Sequence, residues 1–199
     1  MDFEDAVKNG DLQKAEALIK AGADVDRNGN SYGWKVLHYA TLATNVPMMT
    51  LLIKSGADPN ARDWHDGITP LHLAASHRNL VAVEALLALG ASVNELTDEN
   101  YYGAFGVPRQ VNEKYSGGGS IQKTQFRSRV LQGATALHFA AALGDTDLAQ
   151  LLLKHGADRS IRDSLGHTPA ELAQENGHDA LAEILESTGN AGSESGPRD

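Results

Sequence analysis

At 199 residues, 41% apolar and 22% charged, the chain has room for one domain or two small ones and enough apolar material for a core. It contains no cysteine, which excludes disulfides, cysteine-ligated zinc, iron–sulfur clusters and thiol catalysis. The formal charge of −9 is uneven: residues 101–132 hold Arg109, Lys114, Lys123, Arg127 and Arg129 against Glu113 alone, a net +4, and the remainder nets −13.

No apolar run approaches the roughly 18 residues that a membrane-spanning helix needs. The acidic start, Met1-Asp2-Phe3-Glu4-Asp5, fits neither a signal peptide nor an arginine-rich transit peptide. The expectation is a soluble intracellular protein, cytoplasmic or nuclear, that touches no membrane.

Along the chain, landmarks recur in one register. Gly22, Gly56, Gly90, Gly156 and Gly189 step by 34, 34, 66 and 33 residues. Ala6, Ala40, Ala74, Ala140 and Ala173 keep the same rhythm, as do Leu18, Leu52, Leu86, Leu152 and Leu185. Leu-His recurs at Leu37-His38, Leu71-His72 and Leu137-His138, with Ala170-Glu171 as an altered fourth copy. Such a period marks a repeat array. The units run 1–32, 33–65, 66–100, 133–165 and 166–188.

The third unit shows the physics of one copy. Thr69 is placed to cap a helix whose first residue is Pro70, where no N–H donor is missed. Leu71, Ala74 and Ala75 give that short helix a small-residue face. A turn at Arg78-Asn79 starts a second helix, Leu80 to Leu89, with Val83, Leu86 and Leu87 at helical spacing. Gly90 supplies the left-handed residue beyond its end. Ala91-Ser92-Val93-Asn94 is expected to leave as an extended hairpin arm.

Helix–turn–helix–hairpin units of about 33 residues bearing Thr-Pro-Leu-His-x-Ala form a recognisable signature. The chain reads Thr-Pro-Leu-His-Leu-Ala at 69–74 and Thr-Ala-Leu-His-Phe-Ala at 135–140. It thus resembles the ankyrin-repeat family over residues 1–100 and 133–188, which implies an all-α ankyrin-repeat solenoid with one long inserted hairpin loop. The first unit, opening with Asp2, Glu4 and Asp5, and the last, with Glu175, Glu183 and Glu186, are expected to be polar caps. Residues 189–199 are glycine, serine and charge, a composition expected to stay disordered.

Residues 101–132 break the register. As a repeat they would place Pro108 inside a first helix, at a cost of about 3 kcal/mol. Gly117, Gly118 and Gly119 would fall in a second helix at roughly 1 kcal/mol each. The segment is therefore expected to be an insertion, a long hairpin or Ω-loop. It holds five of the chain's eleven aromatics: Tyr101, Tyr102, Phe105, Tyr115 and Phe126.

The chemistry of catalysis is not legible. His38, His72 and His138 occupy the Leu-His slot, a structural hydrogen-bonding position by the resemblance. His155 sits at a helix C-terminus, and His167 and His178 fall where the family carries histidine. His65 and His77 lack a metal-ligand spacing. No phosphate-cradling loop or nucleophile elbow occurs. The expectation is a protein without catalytic residues, metal or other cofactor.

The resemblance implies that partners lie on a concave face formed by hairpin tips and first helices. On this sequence the tips hold Tyr32, Trp34, Trp64, His65, Ile68, Leu165 and His167. First-helix positions facing the same groove are Leu42, Ala43, Ser76, His77, Ala142 and Leu143. Trp34, Trp64, Ile68 and Leu143 stand out as apolar bulk at slots expected to be exposed; the alternative is that a hairpin tryptophan packs over its neighbour's glycine. From the insertion, Tyr101, Tyr102, Phe105, Arg109, Tyr115, Lys123, Phe126, Arg127 and Arg129 join the partner-binding set. Asn60 and Asn94, each eight residues after a leucine, resemble the context of an asparaginyl hydroxylase that modifies ankyrin hairpins.

The function expected is a protein-interaction module or adaptor, monomeric by itself. One alternative is single-stranded nucleic acid or another polyanion held by the basic aromatic insertion; the −13 body argues against it. Another rests on a resemblance of the insertion, followed by Thr-Ala-Leu-His-Phe-Ala and Gly-His-Thr-Pro, to the ankyrin region of an AAA+ disaggregase.

Overall fold

The computed structural model describes residues 2–28, 33–64, 66–98 and 131–187. Among these it contains ten helices in five antiparallel pairs and no strand; one isolated bridge joins Asn28 and Lys35. The first helices are α1 (Phe3–Lys8), α3 (Val36–Leu42), α5 (Pro70–Ser76), α7 (Ala136–Leu143) and α9 (Pro169–Glu175). The second helices are α2 (Leu12–Lys20), α4 (Val46–Lys54), α6 (Leu80–Ala88), α8 (Thr146–Lys154) and α10 (Asp179–Glu186).

Local chemistry sets these boundaries. Thr69 and Thr168 cap α5 and α9 through their hydroxyls, with Pro70 and Pro169 in the first turn. Asp11, Asn45, Asn79 and Asp145 occupy one register position and cap α2, α4, α6 and α8, each side chain accepting the N–H three residues on. Leu89 is the C-cap of α6 rather than its last residue, and Gly90 follows at φ +96°. The chain at Ala91–Asn94 closes in a turn at 93–94 rather than running on as an extended arm. The turn lets the Asn94 carboxamide reach the Asp158 N–H of the next unit, at 2.8 Å.

The helices form two layers. The first helices pack in a row, α1 on α3 on α5 on α7 on α9, and α2, α4, α6 and α8 form the second row. Ala40, Ala74, Ala140 and Ala173 are buried between first helices, where small side chains allow close approach. Leu37, Leu52, Leu71, Leu86, Leu137 and Leu152 fill the space between layers. One core runs through all five pairs, as nearest-neighbour stacking requires.

Candidate functional site

The Leu-His histidines clamp their first helices to the hairpins that follow. The Nδ1 atom of His38 accepts the Lys35 N–H at 3.1 Å, and that of His138 accepts the Thr135 N–H at 3.1 Å. With Nδ1 accepting, the ring proton sits on Nε2 and donates to a carbonyl of the following hairpin. His38 reaches Ile68 at 3.0 Å, His72 reaches Glu95 at 2.9 Å and His138 reaches His167 at 3.1 Å. Burial drives the pKa values of His38 and His72 down to about 4 and lowers that of His138. These rings are neutral struts with both nitrogens occupied. Among the described residues, no group of three or more His, Asp or Glu side chains could hold a metal ion.

The second, third and fourth hairpins between a second helix and the next first helix each close through one residue in a fixed slot. Asp63 does so in the second hairpin, accepting the N–H groups of Asp66 and Ile68 at 3.0 Å each. Asp163 does the same in the fourth hairpin, for Leu165 at 3.0 Å and His167 at 2.8 Å. The third hairpin has Thr97 there. Its Oγ1 accepts the Ala134 N–H at 3.0 Å and donates to the Leu131 carbonyl at 2.9 Å, while its own N–H donates to the Ala134 carbonyl at 3.0 Å. Thr97 and Ala134 thus form the stem where Asp63 and Ile68 meet in an ordinary hairpin. On either side of the stem, α5 packs directly against α7.

The tips lie on one another. The Trp64 side chain covers Gly33 of the preceding hairpin, Asp98 covers Gly67 and Ser164 covers Gly133. Arg62 pairs with Asp98 at 2.6 Å and with Glu95 at 3.6 Å, which ties the second tip to the stem of the third. A second ladder runs along the turns that follow the second helices. Asp26 accepts the Asp58 N–H at 3.1 Å, Asn60 the Ser92 N–H at 2.7 Å and Asn94 the Asp158 N–H. Asn60 and Asn94 therefore have a structural role that the sequence reading did not assign; the repeat spacing of 26, 60 and 94 carries its signal.

The exposed apolar groups on the tip and first-helix face differ from the set expected. Trp64 is 65% exposed, Leu165 56% and Leu42 46%, and Leu143 is half-buried. Trp34 and Ile68, expected at exposed slots, are only 4% and 3% exposed and belong to the core. Trp34 stacks on His38 with ring centres 5.8 Å apart and packs against Tyr39 at 5.4 Å; the Ile68 carbonyl receives the His38 clamp. Both occupy the hairpin foot, not its tip. Ala142 is buried as well, whereas Ala43 and His77 are exposed and Ser76 is half-buried.

His167 is half-buried and lies between Asp163 at 3.2 Å and Glu175 at 3.3 Å. Tyr32, His65, Tyr101, Tyr102, Phe105, Arg109, Tyr115, Lys123, Phe126, Arg127 and Arg129 lie outside the described residues, as does 189–199. Sequence reading missed Leu96, exposed on the third hairpin, and the structural part played by Thr97.

Residues 3–97 and 113–194 match the family model for ankyrin repeats (three copies). Over 55 residues the chain is 46% identical to the potassium channel AKT1 of Oryza sativa subsp. indica, covering 28% of this chain and 6% of that protein. Over 114 residues it is 35% identical to the E3 ubiquitin-protein ligase Ufd4 of Drosophila melanogaster, covering 53% and 4%. Over 101 residues it is 31% identical to the ADP-ribosylation factor GTPase-activating protein AGD2 of Arabidopsis thaliana, covering 49% and 13%. The chain thus spans a small part of each relative.

Proposed function

The chain belongs to the ankyrin-repeat family, and from that footing we propose that it is a non-catalytic adaptor binding a protein partner through the concave face of its hairpin tips and first helices. Residues 101–132 act as an insertion that adds contacts. The observation that carries the reading is the apolar bulk left open on that face: Trp64 and Leu165 at the tips and Leu42 on a first helix, with the half-buried Leu143 on another. Large apolar side chains presented together are what a binding surface needs at its centre.

The mechanism is rigid presentation. Clamp histidines, tip-on-glycine contacts and the asparagine ladder hold neighbouring hairpins in one arrangement before the partner arrives. Fewer groups are then ordered on association, which lowers its entropic cost. The insertion reading is supported by the Thr97–Ala134 stem and by the direct packing of α5 on α7. On this reading Tyr101, Tyr102, Phe105, Tyr115 and Phe126 supply aromatic contact, and Arg109, Lys123, Arg127 and Arg129 meet acidic groups of the partner. The protein works in the cytoplasm or nucleus and uses no cofactor.

The test is a paired affinity capture with mass spectrometry from source-cell lysate. One bait is the native chain; in the other, residues 99–132 are replaced by a short ankyrin tip. Prey lost on the swap, with helical circular dichroism retained, assign binding to the insertion; prey kept by both baits assign it to the groove. Absence of specific prey from both counts against the proposal. A steep loss of capture between low and physiological salt, together with recovered nucleic acid, points instead to polyanion binding.

A further inference from the structure

The second-helix face changes character halfway along the stack. The slot that holds Gln13 in α2 and Asp147 in α8 holds Pro47 in α4 and Val81 in α6. The slot of Lys20 and Lys154 holds Ala88 in α6, so that this helix carries a single charge, Glu84, in nine residues. A helix that is apolar all round is ordinarily buried. Here α6 lies in the outer layer instead: Val81 is 59% exposed, and Leu80, Ala88 and Pro47 are exposed too. Val46, Leu51 and Ile53 of α4 are half-buried, and α4 packs on α6. Scattered apolar residues would need no explanation, but apolar residues left open on two helices that pack together mark an interface.

Two exposed charges border this apolar face, Lys54 at the end of α4 and Glu84 in α6. Neither forms an ion pair with another described residue. We propose that this face is where two copies of the chain associate about a two-fold axis, Lys54 of each copy facing Glu84 of the other. A two-fold interface uses the same patch twice and so needs self-complementary charge, which one cation and one anion provide. Electrostatics favour the same site. Two chains of formal charge −9 repel, and a face carrying one charge of each sign lets them approach with little of that repulsion. The proposal replaces the monomer expected from sequence. It leaves the tip and first-helix face open, so it stands or falls separately from the partner-binding reading.

Sedimentation equilibrium of the full chain over a wide concentration range is the test. The expected result is a mass approaching twice 21.2 kDa at high concentration. Val81→Glu should weaken the dimer at least about tenfold, the equivalent of about 1.4 kcal/mol, with unchanged circular dichroism. Lys54→Glu and Glu84→Lys should each weaken it, and the double reversal should restore it. A constant 21.2 kDa species, a Val81→Glu chain that dimerises like the native one, or a double reversal that fails to recover would each overturn the proposal.

Discussion

Trp64 lies so close over Gly33 that a Cβ added to the glycine would sit 2.4 Å from the indole. The relation repeats 31 residues apart at Asp98 on Gly67 and Ser164 on Gly133, with 2.6 Å in each case. Consecutive tips are thereby shingled, and the exposed indole is held from one side by backbone. The orientation of the Trp64 indole is a property of two adjacent hairpins rather than of its own loop.

Gly33→Ala should therefore cost more than its backbone strain. At φ +80° an alanine carries about 1–2 kcal/mol of left-handed penalty, and the clash with Trp64 adds to it. In a Trp64→Ala background the clash is gone, so the cost should fall to the backbone part alone. Urea unfolding of the four chains measures the difference, and equal costs in both backgrounds would contradict the shingling.

The clamp histidines predict loss of stability in acid. His38 and His72 have folded pKa values near 4, against 6.5 for a free imidazole, because burial disfavours the charged ring. The unfolded chain binds more protons between those values, so stability is fully present above pH 6.5 and falls as pH drops toward 4. The loss is on the order of 3 kcal/mol per ring across that window. In an NMR titration both rings should stay neutral down to the onset of unfolding; titration near 6.5 in the folded chain would contradict the clamp.

The helix–helix turns give a prediction of opposite sign. Their left-handed position holds Gly10, Gly144 and Gly177 in three units but Thr44 and Arg78 in the other two, at φ 53° and 54°. Thr44 accepts a hydrogen bond from Asn79 of the next unit at 2.6 Å; Arg78 reaches Asp145 at 3.5 Å and donates to the Leu143 carbonyl. These contacts are solvent-exposed and offset only part of the strain. Thr44→Gly should raise stability by about 0.5–1 kcal/mol, read as a higher urea midpoint with unchanged slope.

How much could be read in advance depended on whether a residue acts within its own unit. Thr69, Pro70, Asn79 and Gly90 are local devices: α5 and α6 begin where their chemistry says, and α6 ends one residue short of the expected Leu89. Trp34 and Ile68 were misplaced because a bulky apolar residue near a hairpin tip resembles a binding residue until the next unit's packing is known. The register holds the missing clue: 34 and 68 share a slot with Ala134, which is fully buried, whereas Trp64 belongs with Asp98 and Ser164. Thr97 escaped notice for a related reason. It stands in the slot of Asp63 and Asp163 but closes its hairpin with a hydroxyl that both accepts and donates.

Thr97→Val should destabilise the chain by about 1–3 kcal/mol, since it leaves the Ala134 N–H and the Leu131 carbonyl without their buried partner. Valine keeps the shape, so packing loss does not explain such a cost. An unchanged melting temperature would show that the stem is not held by this residue.

The central claim, that the protein works by presenting an open apolar face, is tested most directly by capture with three baits: the native chain, a Trp64→Ala/Leu165→Ser/Leu42→Ser chain, and the chain with residues 99–132 replaced. Val81→Glu serves as a control on the opposite face. The account predicts specific prey on the native and control baits and their loss from the groove variant, the insertion variant or both, with all chains equally helical. The same prey on every bait would place binding elsewhere on the molecule and contradict it.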